Sequence, residues 1–172
     1  MRLLVTDAAA QPPRQATAWL IMTLGKESVS TAAQIKARRE ELGLDLKKVA
    51  ADLSMNEPSY WDIESYDDEL SEVAEFAQAI QLARLLRVRL LALLEEDFDY
   101  AQACKISFQD LRELIEKRVA AGEISKDGLS WDIDEFLEEP KIAFEYPIAF
   151  LKLLAPEVGF DWRQVVANYE EA

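Results

Sequence analysis

The spacing of apolar residues between positions 31 and 53 constrains the fold of this chain more than any other feature. In "TAAQIKARREELG", Ile35 and Leu42 are seven residues apart, and "LDLKKVAADLS" repeats apolar residues at intervals of three, four and seven. These intervals place the apolar side chains on one face of an α-helix. Gly43 ends the first pattern, and Asp45 precedes the second, where its side chain is expected to cap the helix. The stretch therefore predicts two amphipathic helices joined by a short turn.

The same helical pattern appears on both sides of this stretch. Before it, "PPRQATAWLIMTLG" (residues 12–25) predicts a helix with proline in its first turn and glycine at its end. After it, "PSYWDIESY" predicts a third short helix with Pro58 near its start. Residues 70–97 then predict one long helix, or two helices joined end to end.

The residues beyond position 100 also carry helix start and stop signals. Ser107 and Asp110 have the spacing of a capping box, and Asp161 is expected to cap the last helix. Two intervening helices are expected to end at Pro140 and Pro156. Taken together, these signals predict an all-α fold with roughly eight or nine helices of ordinary length.

The residue types that most enzymes need are scarce in this chain. It has no histidine and a single cysteine, so a histidine general base is excluded and the commonest zinc ligand is missing. It also has no glycine-rich phosphate loop, no nucleophile elbow and no metal-ligand spacing. We therefore expect a non-catalytic protein with no cofactor and no metal.

Cys104 and the apolar stretches bear on the cellular compartment. A lone cysteine fits a reducing compartment, and we expect Cys104 to be a half-buried small hydrophobic residue. No segment has the pattern of a secretory signal peptide, and the apolar stretch at residues 73–94 contains charged residues that argue against a membrane span. The expected location is the cytoplasm.

One longer segment matches a known family frame. In "IKARREELGLDLKKVAADLSMNEPSYWDIE", the apolar residues fall at the core positions of that family. Arg39 and Glu64 fall at two positions that typically pair with each other in the family. The later segment "LARLLRVRLLALLEE" matches the family's last two helices. Over residues 34–94 the chain resembles the Xre family, whose fold is the five-helix domain of Cro and the phage repressors such as lambda repressor. The resemblance implies a helix-turn-helix core, and it implies that Arg39 pairs with Glu64.

The resemblance also implies a division of the chain. Residues 31–100 would form the Xre-like helix-turn-helix domain, after an N-terminal extension at residues 1–30 with its additional helix. Residues 101–172 would form a C-terminal helical region, for which we recognise no family. In Xre-type regulators such extensions frequently build a dimer interface, so a homodimer is possible.

The third helix departs from the family in its chemistry. The family reads base edges with residues at the start of this helix, commonly serine, threonine, glutamine, asparagine, arginine or lysine. Here Glu57 and Asp62 would repel a phosphate backbone, and Pro58 removes a backbone N–H that often binds phosphate. The following loop, "SYDDELSE", is acidic where the family has glycine and basic residues. The net charge of −14 likewise gives no basic surface for phosphate.

This chemistry favours a protein partner. Helical spacing directs Tyr60, Ile63 and Glu64 toward the core, and it directs Trp61 and Asp62 outward. Tryptophan and tyrosine are favoured anchors of protein interfaces, and an acidic field attracts a basic partner. Our leading hypothesis is a protein that binds and neutralises a basic protein, in the manner of an antitoxin, an immunity protein or an anti-regulator. The candidate partner-binding residues are Glu57, Trp61, Asp62, Tyr66, Asp67, Asp68 and Glu69.

Two alternatives remain open on the sequence. Trp61 is equally compatible with packing against the C-terminal helices, with the acids serving only solubility. The other alternative is a dimeric Xre-family DNA-binding transcriptional regulator, which needs the basic residues of helices 1 and 2 on one exposed stripe. Partner binding instead needs Trp61 and residues 67–69 exposed together. The candidate DNA-binding residues are Lys36, Arg38, Lys47, Lys48, Asn56 and Ser59.

Overall fold

The fold is all-helical over the residues that the structure describes. This structure is a computed structural model, and it describes residues 29–94, 96–101, 103–129 and 133–170. Within these ranges every regular element is a helix, and the nearest approach to a strand is a single bridge between Glu75 and Pro147. The all-α prediction is therefore confirmed. The helix predicted within residues 12–25 lies outside the described ranges.

The first half of the described chain contains six helices. Side chains of Ser30, Asp45 and Asn56 accept hydrogen bonds from backbone N–H groups in the first turns of the first three, so each of these helices begins at a polar cap. The predicted cap at Asp45 is thus confirmed. The six helices are α1 (Thr31–Glu41), α2 (Leu46–Asp52), α3 (Glu57–Ile63), α4 (Glu69–Glu72), α5 (Phe76–Leu86) and α6 (Leu90–Leu93).

The stretch predicted as one long helix or two is divided into three. After the break that follows α4, a capping box begins α5, in which the side chain of Gln78 accepts from the N–H of Glu75 at 3.1 Å. The backbone N–H of Phe76 donates to the carbonyl of the distant Tyr146 at 2.8 Å. The break between α5 and α6 is set by Arg87, which adopts a left-handed backbone conformation with φ of 55°. The prediction was wrong because the apolar pattern continues through both breaks.

The second half of the described chain contains four α-helices and two short 3₁₀ helices, at Lys126–Gly128 and Pro140–Phe144. The predicted capping box is confirmed, since the Ser107 hydroxyl accepts from the N–H of Asp110 and the Asp110 carboxylate accepts from the N–H of Ser107. The four α-helices are α7 (Phe108–Ala120), α8 (Asp134–Glu138), α9 (Ile148–Val158) and α10 (Trp162–Glu170).

The predicted stop at Pro156 is wrong. Pro156 lies inside α9, and the helix ends at Gly159, whose φ of 77° is readily adopted by glycine. Pro156 is exposed, so water can replace the backbone hydrogen bond that its missing N–H leaves unmade.

Helices from both halves contribute to one hydrophobic cluster. α10 packs against α5 and α6, and α9 packs against α4. At the centre Phe76, Phe108, Phe144 and Tyr169 contact one another, with ring centroids of Phe108 and Tyr169 4.8 Å apart. The division at residue 100 stays a prediction about domains. The shared cluster means that the C-terminal helices support the elements that carry the candidate site.

Candidate functional site

Helix α3 is held in place by its buried side. Tyr60 and Ile63 are fully buried, and α3 packs closely against α2. Asn56 begins the helix, where its side-chain oxygen accepts a hydrogen bond from the N–H of Ser59 at 2.9 Å, and Pro58 fits the first turn. The predicted inward orientation of Tyr60, Ile63 and Glu64 is confirmed. The opposite side of α3 faces solvent.

A buried ion pair fixes the end of α3 to α1. The guanidinium of Arg39 donates to both carboxylate oxygens of Glu64, at 2.5 and 2.9 Å, and also to the carbonyl of Leu44 at 3.0 Å. The hydrogen bond with Glu64 raises the pKa of Arg39 above its ordinary value. The predicted pairing is confirmed. A two-pronged contact of this kind sets the orientation of α3 as well as its position.

The hydroxyl of Tyr60 lies beside this ion pair. Its oxygen is buried, and no group in the described part of the chain stands in good hydrogen-bond geometry with it, although the Glu64 carboxylate is near enough to interact with it. Burial, followed by the nearby Glu64 carboxylate, raises the pKa of Tyr60 far above the ordinary value for tyrosine. Tyr60 therefore stays uncharged and serves as a packing residue beneath the outer side of α3.

Two aromatic side chains stand on the solvent side of α3. Trp61 and Tyr66 are each 53% exposed, and they meet edge to face with ring centroids 6.4 Å apart and an interplanar angle of 89°. Backbone contacts hold the turn between them, because the N–H of Tyr66 donates to the carbonyl of Asp62 at 2.9 Å. We call these residues the Trp61–Tyr66 pair. The alternative in which Trp61 is packed against the C-terminal helices does not fit this exposure.

Carboxylates surround the pair along the chain. Glu57 lies one helical turn before Trp61, and Asp62 follows it directly. Asp67 and Asp68 are exposed, and Glu69 is partly exposed. Trp61 and the 67–69 run are thus at the surface together, as partner binding requires. The acidic-aromatic face is defined as Glu57, Trp61, Asp62, Tyr66, Asp67, Asp68 and Glu69.

Two of these carboxylates have contacts within the chain. A carboxylate oxygen of Asp67 accepts a hydrogen bond from the N–H of Ala32 at 3.1 Å, so Asp67 also caps the start of α1. Glu57 lies 3.7 Å from the ammonium of Lys47, in a pair whose members are both well exposed. Such exposed pairs contribute little to stability. Asp67 therefore has a structural role that the sequence did not reveal.

The basic residues proposed for DNA binding do not form a free stripe. Arg38 donates to the carbonyl of Leu86 at 2.9 Å and pairs with Glu41 at 2.6 Å, and Arg39 is engaged by Glu64. These contacts join α1 to α5 and α3, which is a structural role. The exposed basic residues that remain on α1 and α2 are Lys36, Lys47 and Lys48.

The start of α3 offers little to a phosphate group. Pro58 has no N–H, and the N–H of Ser59 is taken by the side chain of Asn56. The side-chain oxygen of Asn56, a candidate DNA-reading residue, is therefore used in capping the helix, and of Ser59 only the backbone N–H takes part. Glu57 adds a negative charge at the same turn.

The structure also places two exposed hydrophobic residues that sequence reasoning missed. Val73 is 60% exposed after α4, and Leu153 is 49% exposed on α9. Beside Leu153, a surface recess of about 390 Å³ lies between α4 and α9. Its existence depends on contact between helices far apart in sequence, so no local pattern signals it. The recess is lined by Ser71, Glu72, Pro147, Ala149, Lys152 and Leu153.

Comparison with protein-family models, with curated proteins and with solved structures finds no match to this chain. Within the described ranges no group of three or more potential ligands is arranged to hold a metal ion. In the same ranges no helix is long and apolar enough to cross a membrane.

Proposed function

We propose that this chain is a non-catalytic binding protein that recognises and neutralises a basic protein through its acidic-aromatic face. The observation that carries the proposal is the exposure of Trp61 and Tyr66 beside carboxylates, on a helix whose inner side is firmly anchored. The anchoring comes from Tyr60, Ile63 and the Arg39–Glu64 pair. A rigid aromatic anchor binds with little loss of conformational freedom, which favours affinity.

Charge supports the same proposal. The chain carries a net charge of −14, so its field attracts a basic protein and repels nucleic acid. At the face itself, Asp62 and Asp68 form no ion pair with the described residues. Their charges remain available to a partner. We place this encounter in the cytoplasm, in keeping with the lone cysteine.

The alternative function, a dimeric Xre-type DNA-binding regulator, keeps one specific support. α2 and α3 are joined by four residues, among them Ser54 with φ of 57°, and short turns of this kind join the two helices of helix-turn-helix motifs. Lys47 and Lys48 are exposed on α2. We therefore treat DNA binding as the competing function to be tested in the same experiment.

The test is a retention experiment with the chain immobilised in a lysate of its own organism. Retained proteins and retained DNA are both identified, and each retained protein is then purified and titrated against the chain. The proposal expects a basic protein that binds in simple stoichiometry and loses its function in the complex. A variant with Trp61→Ala, Asp62→Asn and Asp68→Asn should lose that protein.

A matched control tests whether the loss of binding is specific to the acidic-aromatic face. The variant Asp127→Asn, Glu145→Gln, Leu153→Ala removes two charges and one exposed hydrophobic side chain elsewhere, and it should bind as the wild type does. Promoter DNA retained by the wild type but lost in a Lys47→Ala, Lys48→Ala variant would overturn the proposal and favour the regulator.

A further inference from the structure

We infer that the Trp61–Tyr66 pair is a receiving site for an arginine side chain of the partner. The inference rests on the proposed function and adds the chemical group that is recognised. It predicts that the guanidinium stacks on an aromatic ring of the pair while its N–H groups donate to neighbouring carboxylates.

Elsewhere in the described ranges, cations of the chain lie over three partly buried aromatic rings. The guanidinium of Arg89 lies 3.7 Å from the ring centroid of Tyr100, and the ammonium of Lys152 lies 4.9 Å from that of Trp162. A third contact places Arg163 5.9 Å from the ring of Phe98. Cations within about 6 Å of a ring face are attracted by its quadrupole.

The Trp61–Tyr66 pair has exposed aromatic rings with carboxylates beside them, but no cation of the described ranges lies over the rings. No Lys or Arg of the described ranges lies over either ring, although more than half of each side chain faces water at 53% exposure. Asp62 and Asp68 lie next to the pair along the chain and have no basic partner in those ranges. A cation from another molecule would complete the arrangement.

Arginine fits this arrangement better than lysine. A guanidinium is planar, stacks on aromatic rings and donates several hydrogen bonds in its plane, whereas an ammonium is a compact and strongly hydrated charge. The two rings stand at 89° to each other, so a flat group can lie on one ring while its edge reaches toward carboxylates. Desolvating arginine beside the rings is also less costly than desolvating lysine.

Lys47 is the competing basic group on the same side of α3. Its ammonium lies 3.7 Å from Glu57 and its side chain is 73% exposed, so it is only loosely held. Glu57 and Trp61 are one helical turn apart, which brings the charge of Lys47 near the site. Removing Lys47 should therefore strengthen arginine binding, although the same change would weaken DNA binding in the alternative function.

The test uses three capped glycine-serine peptides that differ at one central residue, which is arginine, lysine or neutral citrulline. Each is titrated into the full chain while the indole N–H signal of Trp61 is followed by NMR, with the assignment made from Trp61→Phe. We expect a saturable shift with the arginine peptide, a smaller one with lysine and none with citrulline. Trp61→Leu, for which the backbone N–H signal of Tyr66 is followed instead, should bind the arginine peptide about twofold to fivefold more weakly.

The matched variants are Asp62→Asn with Asp68→Asn, which should weaken binding, and Asp127→Asn with Glu145→Gln, which should leave it unchanged. Equal binding of the lysine and arginine peptides at the face would overturn the arginine inference and leave the proposed function standing. If neither peptide moves the Trp61 signal, both the inference and the acidic-aromatic face as a cation-binding surface are contradicted.

Discussion

Two regions of this molecule combine aromatic rings with carboxylates, and they differ in whether the chain supplies the cation. Around α10, the hydroxyl of Tyr100 donates to Glu170 at 2.6 Å, the other oxygen of Glu170 accepts from the N–H of Leu91 at 2.9 Å, and Arg89 covers the Tyr100 ring. We call this the closed cluster. On α3, the Trp61–Tyr66 pair has acids beside it and no described cation over it.

The comparison teaches that composition does not separate structural from binding groups. Both regions contain aromatic and acidic residues, but the charges of the closed cluster are satisfied within the chain. Tyr100 and Glu170 are partly buried, and polar groups that lose contact with water are stabilised by such partners. At the acidic-aromatic face, Asp62 is partly exposed and Asp68 is exposed, so leaving these two carboxylates unpaired is inexpensive, and they are available to a second molecule.

The largest expected effect comes from the ion pair beneath the acidic-aromatic face. Arg39→Met leaves the Glu64 carboxylate buried, with a side chain only 3% exposed and no partner, and should lower the free energy of unfolding by about 3 kcal/mol. Urea unfolding measures the loss. The double variant Arg39→Met, Glu64→Leu should recover most of it. If the single and double variants are equally destabilised, the pair does not anchor α3.

The second-largest effect on stability is expected from a substitution that breaks the closed cluster. Glu170→Ala removes the acceptor of both the Tyr100 hydroxyl and the Leu91 N–H, so we expect a loss of about 2 kcal/mol in the free energy of unfolding. The matched change on the acidic-aromatic face, Asp68→Ala, should cost under about 0.5 kcal/mol because Asp68 is exposed. Equal losses in the two urea titrations would remove the distinction between the regions.

A pH titration tests a second carboxylate that is paired within the chain, Asp161. The side-chain hydrogen bond from Arg163 lowers the pKa of Asp161 below its ordinary value of 3.8. A carboxyl whose pKa is lower in the folded state contributes stability above about pH 3.8, and that stability is lost as the pH falls through the folded value. Arg163→Ala should therefore reduce the dependence of the melting temperature on pH below 3.8. An unchanged dependence would contradict the assignment.

A smaller effect, of opposite sign, on the free energy of unfolding is expected from Tyr60, on the buried side of α3. Tyr60→Phe removes a buried hydroxyl that has no partner among the described residues, and should raise the free energy of unfolding by about 1 kcal/mol. Thermal and urea unfolding both measure it. A decrease of similar size would show that the hydroxyl hydrogen-bonds the Glu64 carboxylate in solution.

The smallest effect on stability is expected at the exposed pair. Trp61→Ala should change the free energy of unfolding by less than about 0.5 kcal/mol, because the side chain is 53% exposed. Urea unfolding of Trp61→Ala measures this change. It shows whether a loss of binding in this variant comes from the acidic-aromatic face or from a loss of folding. A loss above about 2 kcal/mol would mean that Trp61 is a core residue after all.

The sequence predicted those features that depend on neighbouring residues. Asp45 and the Ser107–Asp110 box cap helices through bonds that span three residues. The inward side of α3 followed from helical spacing alone, and Trp61 was correctly placed outside. The Arg39–Glu64 pair came from the resemblance to the Xre family, because no local rule joins residues 25 positions apart.

Features set by distant contacts were missed. The hydrogen bond from the N–H of Phe76 to the carbonyl of Tyr146 is not contained in the apolar pattern of residues 70–97. The capping box of Glu75 and Gln78 at the start of α5 is a local signal that the apolar pattern concealed. In the closed cluster, Tyr100 and Glu170 are 70 positions apart, so no local pattern could predict their contact. The sequence therefore named the acids and aromatics of the candidate site, but it did not show which aromatic rings elsewhere are already covered.

Cys104 was expected to be half-buried, and this is wrong, because the polar and irregular stretch before α7 leaves it exposed. The consequence is practical. The chain has one thiol, so air oxidation can link two copies through a disulfide without any matching surface between them. The possible homodimer therefore has to be measured with a reductant or with Cys104→Ser. A dimer that persists in both conditions is held by a true subunit interface.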